Sequence, residues 1–155
     1  MKLLLLMRHA HAEGRAATDF DRPLSPRGLL EADAVGDALA AANLVPDVIL
    51  ASAALRTKTT AERVAARLPD APAVQTLQEL YGATAEEQRE ALRTCGDAGR
   101  VLLIAHNPGI ADHVAELSGP TRCPPATCIA FEAALDDWME FTPQTATTEV
   151  RRIGG

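Results

Sequence analysis

Three short apolar runs constrain this chain more than any other feature. Leu3-Leu4-Leu5-Leu6-Met7, Val48-Ile49-Leu50-Ala51 and Val101-Leu102-Leu103-Ile104-Ala105 contain no polar residue. Runs of this length, bounded by turn signals, read as strands buried on both faces, as in a parallel sheet covered by helices. The intervening segments carry helical patterns. Ser25-Pro26 supplies an N-cap and a proline at the first helical position. Gly28, Ala32, Val35, Leu39 and Ala42 then recur at spacings of three and four, one face of a helix. Ser52 is expected to cap a second helix running to about Leu68, with Thr57, Ala61, Val64 and Leu68 inward. Val74–Leu77 reads as a short third strand, Glu86–Arg93 as a helix stopped by Gly96 and Gly99, and Ile110–Leu117 as another.

Alternating strands and helices predict an α/β fold, a three-layer α/β/α sandwich around a mostly parallel central sheet. After Pro124-Pro125, Cys128–Glu132 and Trp138–Phe141 read as two strands with Asp136-Asp137 at the turn, an antiparallel hairpin at the sheet edge. Thr142–Thr148 reads as a loop or a fraying tail. The 155 residues suffice for one domain, residues 1–155, with its own core.

Composition narrows the function. Aromatic residues make up 3% of the chain, too few for base-stacking platforms, and the formal net charge is −6. Both features argue against a nucleic-acid partner. Cys95, Cys123 and Cys128 are an odd set without metal-site spacing and read as reduced thiols of a cytoplasmic protein. The first apolar run is too short for a signal peptide, Arg8 ends it, and no stretch approaches membrane-spanning length. No membrane partner is expected, and the sequence leaves the oligomeric state open.

In an open α/β sheet, ligands bind beyond the carboxyl ends of the strands. Each apolar run is followed by polar, mostly basic residues: Arg8 and His9 after the first, Ser52 and then Arg56 after the second, His106 after the third. Taken singly, Arg56 reads as a solvated helix residue, His106 as a hydrogen-bonded strand-end histidine, and Arg8 as a partner of Asp21 or Glu13. Parallel strands put all of them at one edge, and that joint occurrence favours a site. Two arginines and two histidines converging in an acidic protein suit a phosphoryl group, whose oxygens match the guanidinium fork. The helices starting near Ser52 and after Pro108 could add backbone N–H donors.

A metal reading competes. His9-Ala10-His11 is a His-x-His after a first strand, but barrel enzymes that use this pattern need about 200 residues or more. His113 could join His9 and His11, yet two arginines beside a cation would repel it. No metal and no cofactor are expected.

Leu6-Met7-Arg8-His9-Ala10, Ser52-Ala53-Ala54-Leu55-Arg56-Thr57-Lys58-Thr59-Thr60 and Ile104-Ala105-His106-Asn107-Pro108 together resemble the motifs of the histidine phosphatase superfamily, the phosphoglycerate mutase-like fold. Ala10 stands where the family's Arg-His-Gly has glycine. Asp21-Arg22-Pro23-Leu24-Ser25-Pro26-Arg27-Gly28 and the short chain are similar to the small SixA-type phosphohistidine phosphatases. The resemblance runs from about Lys2 to Leu117. It implies a hydrolase in which His9 attacks phosphorus and becomes phosphorylated. Arg8, Arg56 and His106 would bind the phosphoryl oxygens, and water would release phosphate without a metal. Glu79, after the third strand, roughly matches the general acid of mutase-like relatives; a surface glutamate before a turn is an equal reading. The expected substrate is phosphohistidine in a protein. A small phosphomonoester, sugar or nucleotide-related, is the second reading, and a non-catalytic phosphate-binding module the third.

Overall fold

The computed structural model describes residues 1–146 and 148–154. The apolar runs become β1 (Lys2–Arg8), β2 (Val48–Ser52) and β4 (Arg100–Ala105), and Val74–Leu77 becomes β3. The helices are α1 (Pro26–Ala41), α2 (Leu55–Ala66), α3 (Ala85–Leu92) and α4 (Gly109–Ser118). Two further strands, β5 (Cys128–Ala133) and β6 (Thr148–Ile153), complete a six-stranded sheet in the order β3-β2-β4-β1-β5-β6. β1, β2, β3 and β4 pair in parallel, while β5 runs antiparallel to β1 and β6 antiparallel to β5. The expected mostly parallel α/β sheet with an antiparallel edge is the one observed.

Strand periodicity explains why β1 has no polar face. Leu4 and Leu6 enter the core shared with Leu92 of α3 and with Ile110 and Val114 of α4. Leu3, Leu5 and Met7 enter the opposite core, with Val35 and Leu39 of α1 and Ala61 and Val64 of α2. Each fully buried Leu of this strand contributes about 1.5–3 kcal/mol relative to exposure. Ser25 caps α1 as expected, its hydroxyl accepting from the Gly28 amide at 3.0 Å. Gly28 lets α1 press on the loop after β1, because a Cβ there would lie 1.9 Å from the His11 carbonyl oxygen.

Two expectations fail. Trp138–Phe141 is not a strand: Trp138–Glu140 forms a 3₁₀ turn capped by Asp137, and the strand paired with β5 is β6. Trp138 and Phe141 are buried three residues apart, whereas Met139 between them is exposed. That spacing is helical rather than alternating. The Trp138 indole donates to the Ala98 carbonyl at 2.7 Å, which fixes this turn against the loop before β4. β6 begins at Thr148, where the segment expected as a loop or fraying tail ends; before it, Pro143–Thr145 forms a 3₁₀ turn. Ser52 does not cap α2 as its N-cap residue. It ends β2, and α2 begins at Leu55 after Ala54.

Among the described residues, no helix is long and apolar enough to cross a membrane.

Candidate active site

β1 and β4 lie side by side in parallel with Arg8 opposite Ala105, so His9 and His106 leave the sheet together. The His9 amide donates to the Ala105 carbonyl at 3.1 Å, and the two imidazoles lie with centroids 5.3 Å apart. β2 borders β4 on its other side and delivers Ser52 beside His106. Arg56 sits in the first turn of α2, 6% exposed. The expected convergence of Arg8, His9, Ser52, Arg56 and His106 on one sheet edge is therefore what the fold produces.

The hydrogen bonds of His9 fix its tautomer. Nδ1 lies 2.7 Å from the Ala10 carbonyl oxygen, which can only accept, so Nδ1 carries the proton. Nε2 is left with its lone pair. Burial pushes the His9 pKa down to about 4, helped by Arg56 and Arg8 and opposed by the Ala10 bond. At neutral pH His9 is thus an uncharged imidazole with a free nucleophilic nitrogen, held among guanidinium groups. α2 anchors the following peptide: the Ala10 amide donates to Thr60 Oγ1 at 3.1 Å, and that hydroxyl donates to the Arg56 carbonyl at 2.7 Å.

His106 is also neutral, its pKa lowered to about 3 by burial and then by His9 and Arg56. Its Nε2 lies 2.8 Å from Ser52 Oγ and 3.2 Å from Thr57 Oγ1. Either hydroxyl can donate its proton to Nε2, and Ser52 Oγ can do so while accepting from the Ala54 amide. In the tautomer in which Nε2 accepts, Nδ1 carries the ring proton. That Nδ1 is buried with no hydrogen-bond partner among the described residues, a donor free for an oxyanion.

Arg8 sends Nη1 to the Cys123 carbonyl at 3.3 Å, and its buried Nε has no partner among the described residues. Neither Asp21 nor Glu13 pairs with it among those residues.

Three residues complete the site that were not singled out from the sequence. Asp19, in a short 3₁₀ turn of the loop after β1, accepts from Arg56 Nη2 at 3.0 Å through Oδ2, while its carbonyl accepts from Nη1 at 2.7 Å. Tyr81 donates to the same carboxylate at 2.6 Å. The Tyr81, Arg22 and Arg56 bonds hold the Asp19 carboxyl far below its usual range. The Tyr81 ring stands edge-on to His106 at 5.7 Å, and Phe20 packs edge-on to Tyr81 at 5.1 Å. Tyr81 is the chain's single tyrosine and Phe20 one of three phenylalanines, which in so aromatic-poor a sequence was the available signal.

Glu79 is not brought to this cluster. It is exposed and lines a groove of about 220 Å³ with Leu77, with Glu87, Glu90 and Ala91 of α3, and with Thr94 just beyond that helix. Tyr81, two residues on, faces His106 instead. His11 turns to the α1 cap, with Nδ1 2.7 Å from Ser25 Oγ. His113 is fully buried on α4, bonded through Nδ1 to Gln88 Oε1 at 2.9 Å. Among the described residues no three His, Cys, Asp or Glu are grouped to hold a metal ion, so His9, His11 and His113 form no such set. The first amides of α4 are engaged locally, Ile110 N with the His106 carbonyl and Ala111 N with Asn107 Oδ1.

The arrangement can bind an oxyanion between Arg8, Arg56 and His106 and present a neutral nitrogen to it. The chain is similar to several known proteins. An uncharacterized protein of Mycobacterium tuberculosis, Rv1276c, is 36% identical over 153 residues, covering 90% of this chain and 94% of that one. The fold is similar to that of a Nakamurella multipartitia protein assigned provisionally as the phosphohistidine phosphatase SixA. The TM-score is 0.86 at 27% identity, over 98% of this chain and 95% of that one. The protein histidine phosphatase SixA complexed with tungstate shares the fold at a TM-score of 0.81 and 24% identity, over 98% and 96% of the two chains. The profile of the histidine phosphatase superfamily (branch 1) matches residues 4–107, a span that contains Arg8, His9, Arg56 and His106. With two thirds of its length matched by that profile, the chain belongs to the histidine phosphatase superfamily.

Proposed function

We propose that this protein is a phosphatase working through a phosphohistidine on His9, and that its substrate is phosphohistidine in a protein. The observation that carries the reading is the fixed tautomer of His9: Nδ1–H is spent on Ala10, and Nε2 is free beside two arginines. In-line attack by Nε2 forms the N–P bond as the bond to the leaving group breaks. Arg8, Arg56 and His106 Nδ1–H stabilise the charge on the equatorial oxygens, a preorganised electrostatic role. Water then attacks the phosphohistidine, releasing phosphate and restoring neutral His9. The membership of the superfamily supports the reaction class, and the likeness to the SixA-assigned fold supports the substrate class.

The leaving group favours phosphohistidine over a phosphomonoester. An alkoxide needs a general acid, whereas the leaving nitrogen of a phosphoramidate can take its proton from solvent. Glu79, the acid considered from sequence, points into another groove. Asp19, which is near Arg56, is held ionised by its three partners and so is ill suited to give a proton. Turnover of a phosphohistidine protein should therefore exceed turnover across a panel of sugar and nucleotide phosphomonoesters. Glu79→Gln should leave phosphohistidine hydrolysis within about twofold of wild type, far below the 10²–10⁴-fold typical of a general acid. A loss of that larger size on phosphohistidine would contradict this account of the leaving group. A non-catalytic phosphate-binding module would require neither a free Nε2 nor a buried, neutral His9.

The pH profile follows from His9. Its pKa is lowered to about 4, so the nucleophilic form is present above that value and is lost only as pH falls through it. The acid limb of kcat/KM, corrected for ionisation and spontaneous hydrolysis of the substrate, should lie near pH 4. A limb near 6.5, the ordinary histidine value, would show that His9 is not held neutral by burial.

A further inference from the structure

A cleft of about 260 Å³ adjoins the phosphoryl site on its Arg8 side. It is lined by Arg8 and Asn107, the chain neighbours of His9 and His106, by Ala111 of α4, and by the segment Thr121–Pro124. Arg8 Nη1 and Asn107 Nδ2 both donate to the Cys123 carbonyl, at 3.3 and 2.9 Å, which ties this loop to the ends of β1 and β4. No carboxylate lines the cleft among the described residues. Arg122 is exposed and, among those residues, makes neither an ion pair nor a hydrogen bond. Arg152 reaches in from β6 to Thr121 Oγ1 at 2.6 Å while pairing with Glu149 at 2.9 Å. The nearby Asp112 lines a different groove, with Thr84 and Glu116. In a chain of net charge −6, this is a local concentration of cationic groups with few counter-charges.

The geometry points to this cleft as a subsite for a second anionic group of the substrate, a carboxylate side chain flanking the phosphohistidine of a protein. The inference rests on the phosphoryl-site reading above and adds a substrate preference to it. The volume accommodates a Glu side chain, given that a water takes about 30 Å³ of liquid. Arg122 offers that carboxylate an unshared guanidinium, and Arg8 bridges the two anions. Because Arg122 is at the rim, its effect belongs to encounter and binding more than to the chemical step.

The test compares two peptides with phosphohistidine flanked on both sides by Glu or by Lys. Wild type should favour the Glu peptide by about fivefold in kcat/KM at low salt, the scale of an exposed ion pair. The preference should sit in KM and shrink at high salt. Arg122→Glu should reverse the ratio and Arg122→Gln bring it near unity; using the ratio cancels any general loss from misfolding. Equal kcat/KM for the two peptides with wild type, or a Glu preference that survives Arg122→Glu, overturns the subsite. Phosphonate analogues that resist hydrolysis read the same preference as binding. Preferential binding of the Glu analogue with no hydrolysis of either peptide would support the cleft while sinking the phosphohistidine reading. Equal binding of the two analogues overturns the cleft whatever the turnover.

Discussion

His9→Ala should reduce phosphatase turnover by at least about 10⁴-fold, the scale seen when a covalent nucleophile is removed. Two features make this larger than the loss of any one binding group. The nitrogen that bonds to phosphorus disappears, and the next nearest imidazole, His106, has its Nε2 occupied by Ser52 and Thr57. That nitrogen, tied to two hydroxyls, is not presented to phosphorus as His9 Nε2 is. The fold should survive the change, because His9 lies at the mouth of the sheet edge and the core residues of β1 precede it. Far-ultraviolet circular dichroism and thermal melting would check that. Undiminished turnover by a folded His9→Ala variant would refute the mechanism.

Arg56→Ala should lower kcat by about 10²–10³-fold, as removal of one preorganised charge-stabilising donor does elsewhere. Arg56 does two things in this structure. It aims a guanidinium at the site from the first turn of α2, and it holds the Asp19 loop through one backbone and one carboxylate bond. Without it, the ionised Asp19 carboxylate loses its buried counter-charge and repels an incoming phosphoryl group. Arg56→Lys should recover only a small part of the loss, because a point charge cannot serve Asp19 and two phosphoryl oxygens at fixed angles. Steady-state kinetics separate the roles. A fall confined to KM, with kcat intact, would place Arg56 in ground-state binding alone.

The parts of this molecule that obey a period were legible in its sequence. β1, β2 and β4 are apolar without interruption because both of their faces are covered, and their ends followed at once as Arg8-His9, Ser52 and His106. Arg56 was legible because it follows the end of β2 by a few residues, at the start of the helix expected there, α2. β6 was hidden because it is an exposed edge strand, Thr-Glu-Val-Arg-Arg-Ile, whose polar residues meet water rather than a core. The turn at Trp138 misled because its two buried aromatics flank two exposed residues within a short apolar-looking run. Asp19 and Tyr81 lie in aperiodic loops, and only tertiary structure shows that both meet at Arg56 and His106. The same holds for Glu79: sequence position brought it near the third strand's end, but the 3₁₀ turn Gln78–Leu80 sends Tyr81, not Glu79, to the site.

The central claim, a phosphoryl group carried on His9, is tested most directly by trapping the intermediate. The enzyme is mixed with a ³²P-labelled phosphohistidine protein, quenched within milliseconds in alkaline denaturant, and digested for peptide mapping. The account predicts one labelled peptide containing His9, with phosphate on Nε2 that is stable to base and labile to acid. Label on any other residue, or steady turnover with no labelled enzyme at any quench time and no burst of released acceptor, would contradict it.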